Sequence, residues 1–362
     1  MRFVQTADLK IGMKIAKPIY NKKGVLLYSR GTEINEHTLR NIGTMNLFGM
    51  YILEPTEPLP PVSDEELEFE RFQVVSGYTL DDALRLVLKG EIPHEIETLA
   101  SDIQHRFGRR MDKVNFIQTL RNPDDHVFKH SVNVAILTAL ITNKLGIDRN
   151  EQYHLIMAAL LHDMGKLLAP VELLNKTSSL SYSELTTIRN SELEGYNLIR
   201  ENYFLSASVR RYFVQMAEEL SNKIHGYSNE EQRKVLLGTK ILKVADLYDI
   251  LTAMRVYKEP MSEFSAISFM LSKEDEYDES IVDAIVKSIY ILPVGACVEL
   301  TNGEKGLILA ESEYYALRPR ILSFNGNVVY DLAQKKVYEK VRIKDILKTM
   351  DNRFVFKDTL QH

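Results

Sequence analysis

An unbroken apolar run, Leu155 to Leu161, stops on His162-Asp163-Met164-Gly165-Lys166. The run is helical in character, so the chain must end a helix where two metal-ligating side chains stand side by side. Consecutive residues on a helix point ~100° apart, and both can serve one ion only at a helix end or kink. Gly165 is expected to supply that break. Lys166 then sets a cation one turn on, where a phosphate can lie. The dipeptide by itself also fits a helix that ends in polar residues by chance, so the rest of the chain has to decide.

Similar helical patterning surrounds it. His130 to Leu145 is strongly apolar and ends at Gly146, and Asn150 is the expected cap of the helix that leads into His162. Further helices are expected from Ser183 to Ile199, Val209 to Leu220 and Val235 to Ala253, with others starting at Ser262 and Ser280. Short connections between them give an all-α layout for residues 121–290.

On either side the period changes. Residues 1–55 alternate as a small β-rich module: Lys14 to Tyr20, a turn at Asn21-Lys22-Lys23-Gly24, Val25 to Tyr28, a short helix from Asn35 to Asn41 and a closing strand at Gly49 to Leu53. Pro18 points to an edge position. Residues 56–75 read as a proline-rich and acidic linker, with the acidic run as a helix start, and 76–120 as a helical connector with Thr79 as N-cap. Residues 291–362 form a second β-rich domain, with hairpin turns at Asn302-Gly303 and Asn325-Gly326 and a closing helix from Ile343 to Met350. The fold class is multidomain: a helical core flanked by small β-rich modules. Its 362 residues suit two or three domains.

A net charge of −5 gives no reason to expect DNA as a partner. No apolar run nears the ~18 residues of a membrane span. The single cysteine, Cys297, and the lack of a signal-peptide core predict a cytoplasmic protein.

Four features of the helical region combine. His126 and His130 share a helix face if the helix reaches that far. His162 and Asp163 are adjacent. Asp246 sits within the apolar run Val244-Ala245-Asp246-Leu247, where an unpaired carboxylate would be costly; a place on the helix surface is the ordinary alternative. Imidazole and carboxylate together suit Mn, Fe, Zn or a similar divalent ion, which activates water for attack on phosphorus. Lys166 and Arg255 can neutralise phosphate charge.

Three blocks carry a resemblance: Asp125 to Ala135, Leu160 to Lys166, and Val244 to Lys258. Together they resemble the HD-GYP subgroup of the HD phosphohydrolase superfamily, across about residues 121–290. The resemblance implies a helical HD-type domain that binds metals and hydrolyses cyclic di-GMP. It implies His130, His162, Asp163 and Asp246 as metal ligands, with His126 as a further candidate, and Lys166 as the phosphate contact. Asp163 and Lys166 are then the catalytic pair. Where the subgroup has a further histidine, four residues before a glycine, this chain has Ser191 ahead of Gly195. Where it has paired histidines before Glu, the best match is Met216-Ala217-Glu218, and Gly226-Tyr227-Ser228 stands for Gly-Tyr-Pro. One half of the site is kept and the other stripped. About one ion per chain, Fe, Mn or similar, is expected, with weak or altered phosphodiesterase activity on a cyclic dinucleotide.

Two alternatives stay open: an inactive nucleotide receptor or protein scaffold, and an HD hydrolase of another phosphate ester. Protein partners are expected through the terminal β modules, together with a homodimer.

Overall fold

The computed structural model describes residues 2–45, 47, 49–53, 63–91, 93–118, 126–174, 176, 178–202, 204–225, 235–253, 260–312 and 314–347. Short strands open the chain: β1 (Arg2–Gln5), β2 (Lys14–Ile15), β3 (Ile19–Tyr20) and β4 (Leu26–Tyr28). Helix α1 (Glu36–Gly43) follows, with the Asn35 side chain accepting from the Thr38 amide, and then β5 (Gly49–Leu53). The expected strand Lys14 to Tyr20 is broken in two. Its first part pairs with β5 in a sheet of order β1-β5-β2; its second pairs with β4 in a separate ribbon. Pro18 lies at the break, where it has no amide to give a ladder. This module packs on its own core of Val4, Leu9, Ile15, Ile34, Ile42, Met50 and Ile52.

The helical region begins with α2 (Asp64–Val87). Ser63 and Glu66 form a reciprocal capping box, so the acidic run Asp64-Glu65-Glu66 sits in the first turn, favourably placed at the positive end of the helix dipole. This helix crosses from the expected linker into the expected connector. Thr79 is therefore not an N-cap: it lies mid-helix, and its hydroxyl donates to the Val75 carbonyl at 3.1 Å. Helices α3 (His94–Phe107), α4 (His126–Lys144) and α5 (Arg149–Leu161) come next. The cap of α5 is Asp148 rather than Asn150, whose amide donates to the Asp148 carboxylate at 2.9 Å. A 3-10 turn (Met164–Leu168), α6 (Val171–Leu174), α7 (Tyr182–Glu201), α8 (Ala207–His225), α9 (Leu237–Thr252), α10 (Glu263–Leu271) and α11 (Glu279–Ser288) complete the region. Ser181 and Glu184 make the capping box of α7, Ser262 caps α10, and Asp278 caps α11, which starts one residue ahead of Ser280.

Strands β6 (Cys297–Leu300), β7 (Lys305–Ala310), β8 (Arg320–Ser323) and β9 (Val329–Asp331), the single turn α12 (Lys335–Tyr338) and β10 (Ile343–Ile346) form the last module. Both expected hairpins are present in an antiparallel sheet of order β10-β6-β7-β8-β9. Ile343 to Ile346 is a strand, where a helix was expected. Ile343 is buried and Lys344 exposed, the alternation of an edge strand pairing with β6. Val298, Leu300, Ile308, Ile321 and Ile343 join one continuous apolar core with α4, α5 and α9. The helical core with small antiparallel sheets at both ends is the architecture expected. Among the described residues, no helix is long and apolar enough to cross a membrane.

Candidate metal centre

Helix α5 ends at Leu161, and His162 is its C-cap. Asp163, at φ −97° and ψ 8°, has left the helix, and the tighter turn Met164–Leu168 begins. The bend brings both side chains to one place: His162 Nε2 stands 3.5 Å from Asp163 Oδ1. Gly165 acts differently from expectation. It is not among the glycines of positive φ. A Cβ there would lie 2.6 Å from the Glu192 Cα, and one on Gly195 would lie 2.4 Å from the Gly165 Cα. The two glycines let α7 press against the turn.

Helix α4 brings His130, buried at 4% exposure, and α9 brings Asp246. His130 Nε2 is 2.9 Å from Asp246 Oδ1, 3.4 Å from Asp163 Oδ2 and 3.3 Å from His162 Nε2. One ligand atom each of His130, His162 and Asp246 lies within 4.8 Å of the others. Both rings are aimed from behind. His162 Nδ1 donates to the Ala159 carbonyl at 2.7 Å, and His130 Nδ1 pairs with Asp249 Oδ2 at 2.6 Å. Such anchoring leaves Nε2 as the inward-facing atom of each ring. Two Nε2 atoms meeting among carboxylates are a converging set of lone pairs, a donor set that fits a divalent cation of the borderline kind.

The anchor of His130 is itself braced. Asp249 is fully buried, and its Oδ1 accepts from Asn133 Nδ2 at 2.9 Å and Gln118 Nε2 at 3.1 Å. Gln118 also donates to Thr252 Oγ1 at 2.9 Å, and Gln73 of α2 donates to Asn133 Oδ1 at 2.7 Å. A buried carboxylate satisfied this way is rigid. The Asp246 side chain is 36% exposed, against 5% for that of His130.

The cluster's charges are strongly interdependent. Burial opposes the charged form of His162, but Asp163 and Asp246 outweigh it and lift the imidazolium to about 9. Burial would raise the Asp163 carboxyl; Lys166 and the two imidazoles pull it well below the usual carboxylate range. Asp246 is likewise held low, its hydrogen bonds to His130 and His162 overcoming burial. Burial and the neighbouring Asp163 and Asp246 push Glu192 up, with Lys166 working against them.

Lys166 Nζ bonds Asp163 Oδ2 at 2.7 Å and lies 3.8 Å from Glu192 Oε1. His126 opens α4 one turn before His130 and is not among the residues whose ligand atoms converge. Arg255 lies outside the described residues, as does Gly226-Tyr227-Ser228. Ser191 points its hydroxyl back at the Thr187 carbonyl, Ala217 is buried at 2% exposure, and Met216 packs against the apolar core.

Residues 115–281 match a family model described as an HD domain. These residues form an HD-type helical domain. Among the curated proteins that the chain resembles is the cyclic di-GMP phosphodiesterase PA4108 of Pseudomonas aeruginosa, 28% identical over 57% of this chain and 49% of that protein. The cyclic di-GMP phosphodiesterase PdeB of Borreliella burgdorferi is 26% identical over 58% and 55%. The 3'3'-cGAMP-specific phosphodiesterase 1 of Vibrio cholerae is 30% identical over 44% and 37%. The chain spans about half the length of the first two, and the HD match covers all three blocks that resemble HD-GYP proteins up to residue 281.

Two contributors to the HD site carry no signal in the spacing of the chain. Asp249 is in the third block, but its service to His130 depends on a contact between α4 and α9. Glu192 follows Ser191 directly, and the position beside a missing histidine attracts no notice until α7 is seen against the turn.

Proposed function

We propose that this HD domain is a metal-dependent phosphodiesterase acting on a cyclic dinucleotide, with about one ion per chain and reduced or altered turnover. The observation that carries the reading is the convergence of His130 Nε2, His162 Nε2 and an Asp246 oxygen within 4.8 Å. These three, with Asp163 beside them, would hold the ion, Fe, Mn or similar. A divalent ion at such a site supplies Lewis acidity and lowers the pKa of water. Asp249 and the Ala159 carbonyl keep the imidazoles turned inward. Lys166, by resemblance, and Arg255, as a further cation of the third block, offer positive charge to the phosphate. The exposed edge of Asp246 is the way in. His126 stays a candidate extra ligand.

Reduced turnover follows from the other flank. Ser191, Met216 and Ala217 bring no imidazole, and a second ion that would stabilise both oxygens of an in-line displacement lacks its ligands there. The same observation favours a second reading, a receptor that binds the nucleotide without cleaving it. The division into modules at residues 55, 120 and 290, protein partners at the terminal β modules, a homodimer and a cytoplasmic setting belong to this proposal. Incubation with cyclic di-GMP and with 3'3'-cGAMP in the presence of Mn²⁺ tests it. Turnover that vanishes in Asp163→Ala supports the enzyme; binding without turnover supports the receptor; turnover of other phosphoesters alone contradicts the cyclic-dinucleotide assignment.

A further inference from the structure

Lys166 has two carboxylates within ion-pair range. Its short bond is to Asp163 Oδ2, at 2.7 Å, within its own turn. Glu192, on α7, stands at 3.8 Å, inside ion-pair range but beyond a hydrogen bond. Among the described residues Lys166 is the only cation within ion-pair distance of Glu192. The Glu192 side chain is only 20% exposed, and a carboxylate with so little water needs a counter-charge. Nor can it drift: the close approach of Gly165 and Gly195 fixes the backbone of α7 against the turn that carries Lys166.

Asp163 cannot serve the ammonium and a divalent ion equally well. Its Oδ2 is also 3.4 Å from His130 Nε2, on the side where the proposed ligands converge. An ion placed there would draw on the same carboxylate and repel the Lys166 charge. Glu192 is the acceptor already in place, and a shift of the Nζ by a rotamer change at the end of a flexible stem closes the 3.8 Å gap.

We infer that Glu192 is a positioning residue: it receives the Lys166 ammonium when a metal ion takes Asp163, and so keeps that cation in the site rather than letting it swing into solvent. The inference rests on the metal site proposed above. Nothing in the ligand set proposed there includes Glu192, and its part is played through Lys166 alone.

A double-mutant cycle on Mn²⁺ affinity tests this, measured by calorimetric titration of the full chain with far-UV circular dichroism as the folding check. Glu192→Gln is expected to weaken Mn²⁺ about tenfold, the scale of one charge-assisted hydrogen bond. Lys166→Met removes the competitor for Asp163 and is expected to tighten binding by a similar factor. In the double variant the effect of Glu192→Gln should vanish. If Glu192→Gln weakens Mn²⁺ equally with and without Lys166, Glu192 acts on the ion directly and the inference is overturned. Unchanged affinity in the single variant Glu192→Gln overturns it too. Failure of the wild-type chain to bind Mn²⁺ at all would instead overturn the metal site on which it rests.

Discussion

The two flanks of the HD site are built on different principles. On the flank of α4, α5 and α9, each inward-facing imidazole has a partner behind it: Asp249 behind His130, Ala159 behind His162, and Asn133 and Gln118 behind Asp249. On the flank of α7 and α8, the residues at the places of further histidines turn elsewhere, Ser191 to Thr187 and Met216 to the apolar core. Lys166 and Glu192 occupy the boundary. A flank made rigid by buried hydrogen bonds can hold an ion in fixed geometry; a flank that spends its polar groups on its own helix cannot.

Breaking the rigid flank should have the largest effect. Asp249→Ala leaves His130, Asn133 and Gln118 with unmet buried hydrogen-bond capacity. It should lower stability by roughly 3 kcal/mol in urea denaturation and weaken metal binding about ten- to a hundredfold. Asp249→Asn should keep most of the stability and still lose affinity, because it keeps the shape but not the charge.

Next comes the seam between the flanks. Gly195→Ala places a Cβ 2.4 Å from the Gly165 Cα, so α7 must move off the turn. A loss of about 1–3 kcal/mol is expected, read as a lower melting temperature with or without Mn²⁺.

The charge state of the rigid flank sets a pH dependence. His162 is lifted in the folded chain to about 9 from the ordinary imidazole value of 6.5. Its contribution to metal-free stability is therefore complete below about 6.5 and is lost as pH rises through about 9. Thermal unfolding in chelator should show the wild-type chain losing stability from pH 7 to 10 more steeply than His162→Gln. Because the imidazolium must give up its proton to ligate, Mn²⁺ affinity should rise over the same window.

The smallest effect belongs to the other flank. Ser191→Ala removes only a hydroxyl bonded to its own helix, and should change stability by less than about 0.5 kcal/mol and leave metal uptake unaltered.

Much of the rigid flank was legible in the chain because its signals are local. An apolar run ending in His162-Asp163 announces a helix end, and the carboxylate of Asp246 stands out in an apolar helix. What was not legible depends on contacts between distant segments or on competition between neighbours. The prolines ahead of residue 63 suggested a linker running past Asp64, whereas the capping box of Ser63 and Glu66 starts a helix there. Asp148 outcompetes Asn150 as a cap, since it stands one residue before the helix begins. Ile343 to Ile346 pairs with β6, and that pairing overrides a helical pattern. Gly165 reads as a helix breaker in sequence, but its small size serves the approach of α7. Glu192 acquires meaning only through that approach.

The most direct test of the account is the metal content of the purified chain, by elemental analysis after expression and purification with Mn or Fe. About one divalent ion per chain, lost in both His162→Ala and Asp246→Ala and retained in Ser191→Ala, is the predicted result. A chain without metal under those conditions, or one whose metal survives the loss of His162 and Asp246, would contradict it.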